Sequence, residues 1–134
     1  MADMNQGLFG CAETTCPNNF TVNYEFVTAV LKDYSDRFGL MVGDAQSGLL
    51  QDIYKGKRPN SYYSMKKQGG IVLSVGDGGK NEGVGVIYEG AIMSGVPEDS
   101  IIHLIQQNIV DMAYRRAPVR DADGSQLPYD SGAS

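Results

Sequence analysis

The sequence predicts a small α+β domain in which a mainly antiparallel sheet is packed by two helices. Apolar residues recur at helical spacing over residues 23–38 and again over 97–116. Between these segments, residues 70–75 and 84–89 are two short apolar runs separated by glycine-rich sequence, a pattern typical of a β-hairpin. The length of 134 residues, with 42% hydrophobic and 20% charged residues, fits one globular domain. We therefore predict a single domain, 1–134.

The chain begins with a segment that has neither helical nor strand periodicity, so residues 1–22 are predicted to form an extended arm. The first helix is predicted next because Phe26, Val30 and Tyr34 are spaced four residues apart. Gly39 follows as a left-handed residue that would end this helix.

The segment after the first helix has two interpretations. Residues 40–42 are a short apolar run and predict a strand. A helix over residues 44–55, capped by Asp44, is favoured by the i, i+4 spacing of its apolar residues. The alternative is a turn over 44–48 followed by a returning strand over 49–54.

The last helix carries signals at both ends. Pro97 suits its first position, Glu98 and Asp99 suit the positive end of the helix dipole, and Pro118 ends it. The α+β core is thus predicted to span residues 23–118, and the polar residues 119–134 to form an extended tail. The residues predicted to face the core from this helix are Ile101, Leu104, Ile105, Ile109 and Met112, and the predicted face is widened by Ile102, Val110 and Ala113.

No catalytic or cofactor-binding motif is present at the required spacing. The glycine-rich loop 76–83 is preceded by Ser74 and contains Asn81, at positions where a phosphate-binding loop needs Gly and Ser or Thr. His103 is the only histidine, and no serine or cysteine is marked as its nucleophilic partner. These observations predict a non-enzymatic protein without a cofactor or a metal.

The two cysteines, Cys11 and Cys16, lie in the predicted N-terminal arm. Two cysteines and one histidine are too few for a zinc site within one chain. Free thiols, a disulfide within or between chains, and a metal shared across subunits remain as alternatives.

Basic and aromatic residues are concentrated between residues 54 and 67. Such a segment could be a solvated loop, or it could bind an acidic protein or, with less support, single-stranded nucleic acid. We treat it as a candidate interaction patch and call it the basic patch. It comprises Tyr54, Lys55, Lys57, Arg58, Tyr62, Tyr63, Lys66 and Lys67.

The overall charge and the N-terminus limit the partners and the compartment. A formal net charge of −5 disfavours broad binding to nucleic acid or to anionic membranes. No apolar run is long enough to span a membrane, and the N-terminus lacks the features of a secretory signal. We therefore predict synthesis in the cytoplasm and protein partners.

The long ends of low periodicity favour a structural subunit whose arms dock on neighbouring copies in a symmetric assembly. Head decoration, neck and tail components of phage virions are similar in architecture, so a homo-oligomeric virion component is the predicted function. Over residues 23–117, the order helix, strand, glycine-flanked hairpin, helix resembles the layout of roadblock or profilin domains. That resemblance implies a small-ligand-binding or regulatory domain as the alternative. A third hypothesis is an inhibitor or adaptor that binds a host protein.

Overall fold

A three-stranded antiparallel sheet and one helix form the main part of the structure over the residues that it describes. The computed structural model describes residues 21–58, 75–76, 81–82, 85–116 and 123–125. Within them, the sheet has the strand order β1-β2-β3, and a second sheet pairs β4 with β5. This arrangement confirms the α+β class. The elements are β1 (Val27–Asp33), β2 (Arg37–Asp44), β3 (Gln51–Lys57), β4 (Val75–Gly76), β5 (Asn81–Glu82) and the helix α1 (Asp99–Asp111).

The helix predicted over residues 23–38 is wrong, because β1 and the start of β2 occupy this segment as an antiparallel hairpin. The run of β-branched residues near Val27 and Val30 favours an extended backbone, and this preference outweighs the i, i+4 spacing of the aromatic residues. Gly39 does not end a helix. It lies within β2, paired with Lys32 across the hairpin.

The segment after β2 forms a turn and a returning strand, so the favoured helix over 44–55 is wrong and its alternative is confirmed. The Asp44 carboxylate accepts hydrogen bonds from the Gln46 backbone N–H (2.9 Å) and the Ser47 hydroxyl (3.1 Å). Gly48 then adopts a φ of +77°, a conformation that other residues rarely take. Asp44 is thus a capping residue, but it caps a turn rather than a helix.

The predicted hairpin, 70–75 with 84–89, is only partly within the described residues, since 70–74 and 84 lie outside them. Val75 pairs with Glu82, and Gly76 pairs with Asn81. Residues 85–89 are described and are not a strand. In the described residues, the second strand of this pairing is therefore Asn81–Glu82, earlier in the chain than predicted.

The last helix is confirmed, although it is shorter than the predicted 97–116. Glu98 holds the N-cap position with extended backbone angles, and Asp99 lies in the first turn. At the other end, Ala113 has a φ of +50°, so the chain leaves the helix there, before Pro118 is reached. With 13 residues, α1 is too short to cross a membrane, and no longer helix occurs in the described parts of the chain.

The buried core joins α1 to one face of the sheet. Met41, Leu50 and Ile102 form its centre, and the partly buried Val30 packs against them. The face of α1 that was predicted to pack into this core lies mostly on the opposite side of the helix, away from the sheet. Its exposed members are Ile101, Leu104, Ile105 and Met112.

Gly43 in β2 lies where the turn folds back on the sheet, and we expect Gly43→Ala to destabilise the chain. An added Cβ would lie 3.0 Å from Leu50 Cδ2 and 3.2 Å from the Leu49 carbonyl oxygen. Such overpacking costs about 1–3 kcal/mol in the free energy of unfolding. Denaturant unfolding measures the loss, with Gly90→Ala as control because its Cβ would meet no atom within 4 Å. Equal stability of the two variants would contradict the packing described for Gly43.

Candidate functional site

A cluster of charged side chains joins the first turn of α1 to the sheet. Lys32 of β1 is buried, with 5% of its side chain exposed, and its ammonium group donates a hydrogen bond to the Asp99 carboxylate. Lys55 of β3 approaches the other oxygen of the same carboxylate at 3.8 Å. Asp99 therefore bridges two strands from the helix. Lys32 was not predicted as a site residue, because residues 23–38 were interpreted as a helix.

The pKa of the Asp99 carboxyl lies below its ordinary value. The main cause is the hydrogen bond from Lys32, followed by the charge of the same ammonium group, and Lys55 contributes less. Partial desolvation acts in the opposite direction. Asp99 thus stays ionised at pH values at which an ordinary aspartate begins to take up a proton.

The lowered pKa of Asp99 predicts a stability that depends on pH. Because the folded-state pKa is depressed, the contribution of the ion pair is fully present above the ordinary pKa of 3.8 and is lost as the pH falls through the folded-state value. We expect Asp99→Asn to lower the thermal midpoint at pH 7, and the difference from the parent chain to shrink below about pH 4. Thermal unfolding from pH 7 to pH 2 measures this. A difference that does not change with pH would contradict the role given to the Asp99 charge.

Gln106 provides a second link between α1 and the sheet. Its side chain is completely buried, and its Nε2 donates to the Asp44 carbonyl oxygen at 2.8 Å. A longer contact, 3.5 Å, reaches the Gly48 carbonyl oxygen. The helix therefore binds the backbone of the turn between β2 and β3. Helical periodicity could not reveal this, since it identifies apolar positions and Gln106 is a buried polar one.

Arg58, a member of the basic patch, is engaged within the chain. Its guanidinium donates to the Asp33 carboxylate and to the backbone carbonyl oxygens of Tyr34 and Ser35. The side chain is only 12% exposed. Arg58 thus holds the turn between β1 and β2, which the planar guanidinium suits because it carries several donors in a fixed geometry.

The other described members of the basic patch differ in their surroundings. Tyr54 packs against Phe38, with ring centroids 4.7 Å apart, and its hydroxyl donates to the Lys57 carbonyl oxygen at 2.6 Å. Lys57 is exposed. Tyr62, Tyr63, Lys66 and Lys67 lie outside the described residues. The interaction role of the basic patch therefore stays a prediction.

Three aromatic rings connect the segment before β1 to the end of α1. Phe26 lies 5.4 Å from Tyr88, and Tyr88 lies 5.0 Å from Tyr114, measured between ring centroids. The Tyr88 hydroxyl donates to the Arg115 carbonyl oxygen at 3.0 Å. Burial, together with the nearby Glu89 carboxylate, raises the pKa of Tyr114 above its ordinary value. This group therefore links the residue before β1 to the residues that follow α1.

Metal or disulfide chemistry receives no further support. Cys11 and Cys16 lie outside the described residues, so all three alternatives for them stay predictions. Across residues 21–58 and 85–116, no three histidine, cysteine, aspartate or glutamate side chains gather closely enough to hold a metal ion.

A family model described as the catalytic region of α-L-arabinofuranosidase B matches residues 1–115 of this chain. Among curated relatives, an arabinofuranosidase/B-xylosidase of Trichoderma koningii is 38% identical over the whole chain, which covers 27% of that relative. The α-L-arabinofuranosidase B of Aspergillus niger is 38% identical over 85% of the chain, corresponding to 23% of its length. The chain thus spans about a quarter of the length of the curated relatives it matches.

Solved structures agree with the sequence relatives. A mutant of a GH54 α-L-arabinofuranosidase, soaked with 4-nitrophenyl α-L-arabinofuranoside, matches with a TM-score of 0.68 and 34% identity, over 84% of this chain and 23% of that one. An arabinofuranosidase complexed with arabinofuranosyl-α-1,2-xylobiose matches with a TM-score of 0.67 and 36% identity, over 75% of this chain and 21% of that one.

These matches overturn the predicted function. The prediction of a non-enzymatic virion subunit is wrong, because the relatives and the family model are those of a glycoside hydrolase. The family model also matches residues 1–22, which were predicted to form a docking arm. This segment is therefore part of the region that the chain shares with the family. The predictions of protein partners, a homo-oligomer and cytoplasmic synthesis stay predictions. With a family model matching residues 1–115, this chain belongs to the family of α-L-arabinofuranosidase B catalytic domains.

Proposed function

We propose that this chain forms part of the catalytic domain of an α-L-arabinofuranosidase, which hydrolyses the glycosidic bond of an α-L-arabinofuranosyl group. The observation that carries the proposal is the match of the family model to residues 1–115, a range that contains the sheet, α1 and their connections. Similarity to a structure soaked with an arabinofuranoside, at a TM-score of 0.68, supports the same activity.

The substrate class follows from the compounds bound to the relatives. One matching structure holds an arabinofuranosyl group on xylobiose, and another was soaked with a 4-nitrophenyl arabinofuranoside. We infer that the substrate is an arabinofuranosyl group attached to a second sugar, such as a xylose chain. The name of the Trichoderma koningii relative adds xyloside hydrolysis as a second candidate activity.

The chemistry of glycoside hydrolysis limits the roles of the described carboxylates. Most glycosidases use two carboxyl groups, and the one that acts as general acid has a raised pKa. The pKa of Asp99 is lowered instead, and the hydrogen bond from Lys32 keeps its carboxylate charged. Asp33 is held by Arg58 in an ion pair with little exposure. We therefore infer that Asp99 is not the general acid. Because basic side chains hold both aspartates in ion pairs, we assign Asp99 and Asp33 to the support of the fold.

A chimera tests the proposed activity. This chain replaces the matching segment of the Aspergillus niger α-L-arabinofuranosidase B, and the release of 4-nitrophenol from 4-nitrophenyl α-L-arabinofuranoside is measured. We expect hydrolysis by the chimera, because the replaced segment is 38% identical and shares the fold of the family. The corresponding 4-nitrophenyl xyloside, assayed in parallel, separates the two candidate activities. A folded chimera that hydrolyses neither compound would contradict the proposal.

A further inference from the structure

The strand β1 and the helix α1 face each other in three successive pairs of residues. Every second residue of a strand lies on the same face of the sheet, and residues three or four apart lie on one side of a helix. The strand runs in the direction opposite to the helix, so its last residues meet the first turn of α1. In the order of the helix, the pairs are Lys32 with Asp99, Val30 with Ile102, and Thr28 with Gln106.

The third pair lies beside the turn that follows β2. Thr28 is paired with Gly43 across the hairpin, and Gln106 donates to the carbonyl oxygen of the next residue, Asp44, at 2.8 Å. Two residues of a strand span about 6.6 Å and four residues of a helix about 6 Å, so the strand and the helix advance by similar steps. Thr28 and Gln106 therefore lie level with each other, as the first two pairs do.

Both members of the third pair carry a buried polar atom without a hydrogen-bond partner in the part of the chain that the structure describes. These atoms are Oγ1 of Thr28 and Oε1 of Gln106. The Nε2 of Gln106 faces the carbonyl oxygens of Asp44 and Gly48, so the remaining amide atom, Oε1, can only accept. Nearly all buried polar atoms of folded proteins have a partner, because an unpaired one loses its hydration without compensation.

We propose that one internal water molecule binds between β1 and α1 and bridges Thr28 Oγ1 and Gln106 Oε1. The water donates a hydrogen bond to Oε1 and accepts one from the threonine hydroxyl, which matches the chemistry of both groups. Globular proteins hold about one buried water per 27 residues, each with about two to four polar partners. The proposed site provides two such partners.

The water has a positioning role. It holds the Gln106 amide with Nε2 towards the turn between β2 and β3, because a rotated amide would lose the water and bring its oxygen against two carbonyl oxygens. The link between α1 and this turn thus depends on Thr28, a residue of another strand. This proposal goes beyond the proposed activity and does not depend on it.

A crystal structure of this chain, at a resolution that shows ordered water, tests the bridge directly. We expect electron density for one water at about 2.7–3.2 Å from both Thr28 Oγ1 and Gln106 Oε1. Three results would overturn the proposal. They are the lack of density at this position, a direct hydrogen bond between the two side chains, and a water that binds Gln106 but not Thr28. The last case includes a water shared with Nδ1 of His103, a third buried atom without a partner among the described residues.

A double-mutant cycle tests the bridge in solution. Thr28→Val keeps the shape of the side chain but removes its hydroxyl, and Gln106→Met removes the amide. Because both variants lose the same water, we expect the unfolding equilibrium constant of the double variant to be at least about threefold smaller than the product of the two single effects implies. The matched control combines Thr28→Val with Gln107→Met, since Gln107 is exposed and donates to Asp111 on its own helix. The effects of the control pair should multiply. Effects that multiply in both cycles would contradict a shared water.

Discussion

Replacing Ile102 with alanine is expected to lower the free energy of unfolding by about 2–5 kcal/mol. Ile102 is 3% exposed and, with Met41 and Leu50, forms the centre of the buried core. Its truncation removes apolar burial and leaves a cavity between α1 and the sheet. Few other side chains can fill this space, because the core is small. Chemical denaturation of the isolated chain measures the effect.

The matched control for this prediction is Leu104→Ala on the same helix. Leu104 is 66% exposed, so its truncation should change the stability of the isolated chain by no more than about 0.5 kcal/mol. Similar losses for both variants would mean that α1 is rotated relative to the orientation described above.

Replacing Arg58 with methionine is expected to cost about 1.5–3 kcal/mol in the free energy of unfolding. The substitution keeps much of the apolar stem but removes the donors to Asp33, Tyr34 and Ser35. The loss should change little with salt, because the Arg58 and Asp33 side chains are only 12% and 24% exposed and are poorly screened. Denaturant unfolding at low and high salt measures both expectations.

Lys57→Met is the control for Arg58, because it removes a neighbouring positive charge from the basic patch at an exposed position. We expect a change within about 0.5 kcal/mol. If Lys57→Met and Arg58→Met destabilised the chain equally, the contacts of Arg58 would not explain its effect.

The sequence predicted the helix α1 well and the strands before it poorly, for a physical reason. Glu98 and Asp99 mark the start of a helix whose hydrogen bonds are local, so the signal lies within the segment itself. The strands β1 and β2 depend on pairing with each other, and the spacing of Phe26, Val30 and Tyr34 fits a helix and a strand alike. The β-branched residues of β1 were the available signal that favoured a strand.

The face of α1 illustrates a second limit of sequence reasoning. Periodicity correctly identified an apolar side that includes Ile101, Leu104 and Ile105, but it cannot say what covers that side. In this chain the sheet packs on Ile102, which the prediction placed at the edge of that side, and on Gln106, which it did not include. The position of Gln106 depends on the backbone of a turn about sixty residues earlier, which no local pattern encodes.

The candidate site was less predictable than the fold. Glycosidases need two carboxyl groups brought together by the fold, with no histidine, metal or nucleophilic serine. The absence of such motifs therefore did not exclude an enzyme, and the family match was required to find it. The sequence identified Arg58 and Lys55 as members of the basic patch. Only the structure showed that Arg58 pairs with Asp33 and Lys55 with Asp99.

The most direct test of the proposed activity is the rate at which the Aspergillus niger chimera carrying this chain hydrolyses 4-nitrophenyl α-L-arabinofuranoside. We expect measurable release of 4-nitrophenol by the folded chimera, and loss of that release when the segment is deleted. A chimera that folds with the stability of its parent and releases no 4-nitrophenol would contradict it.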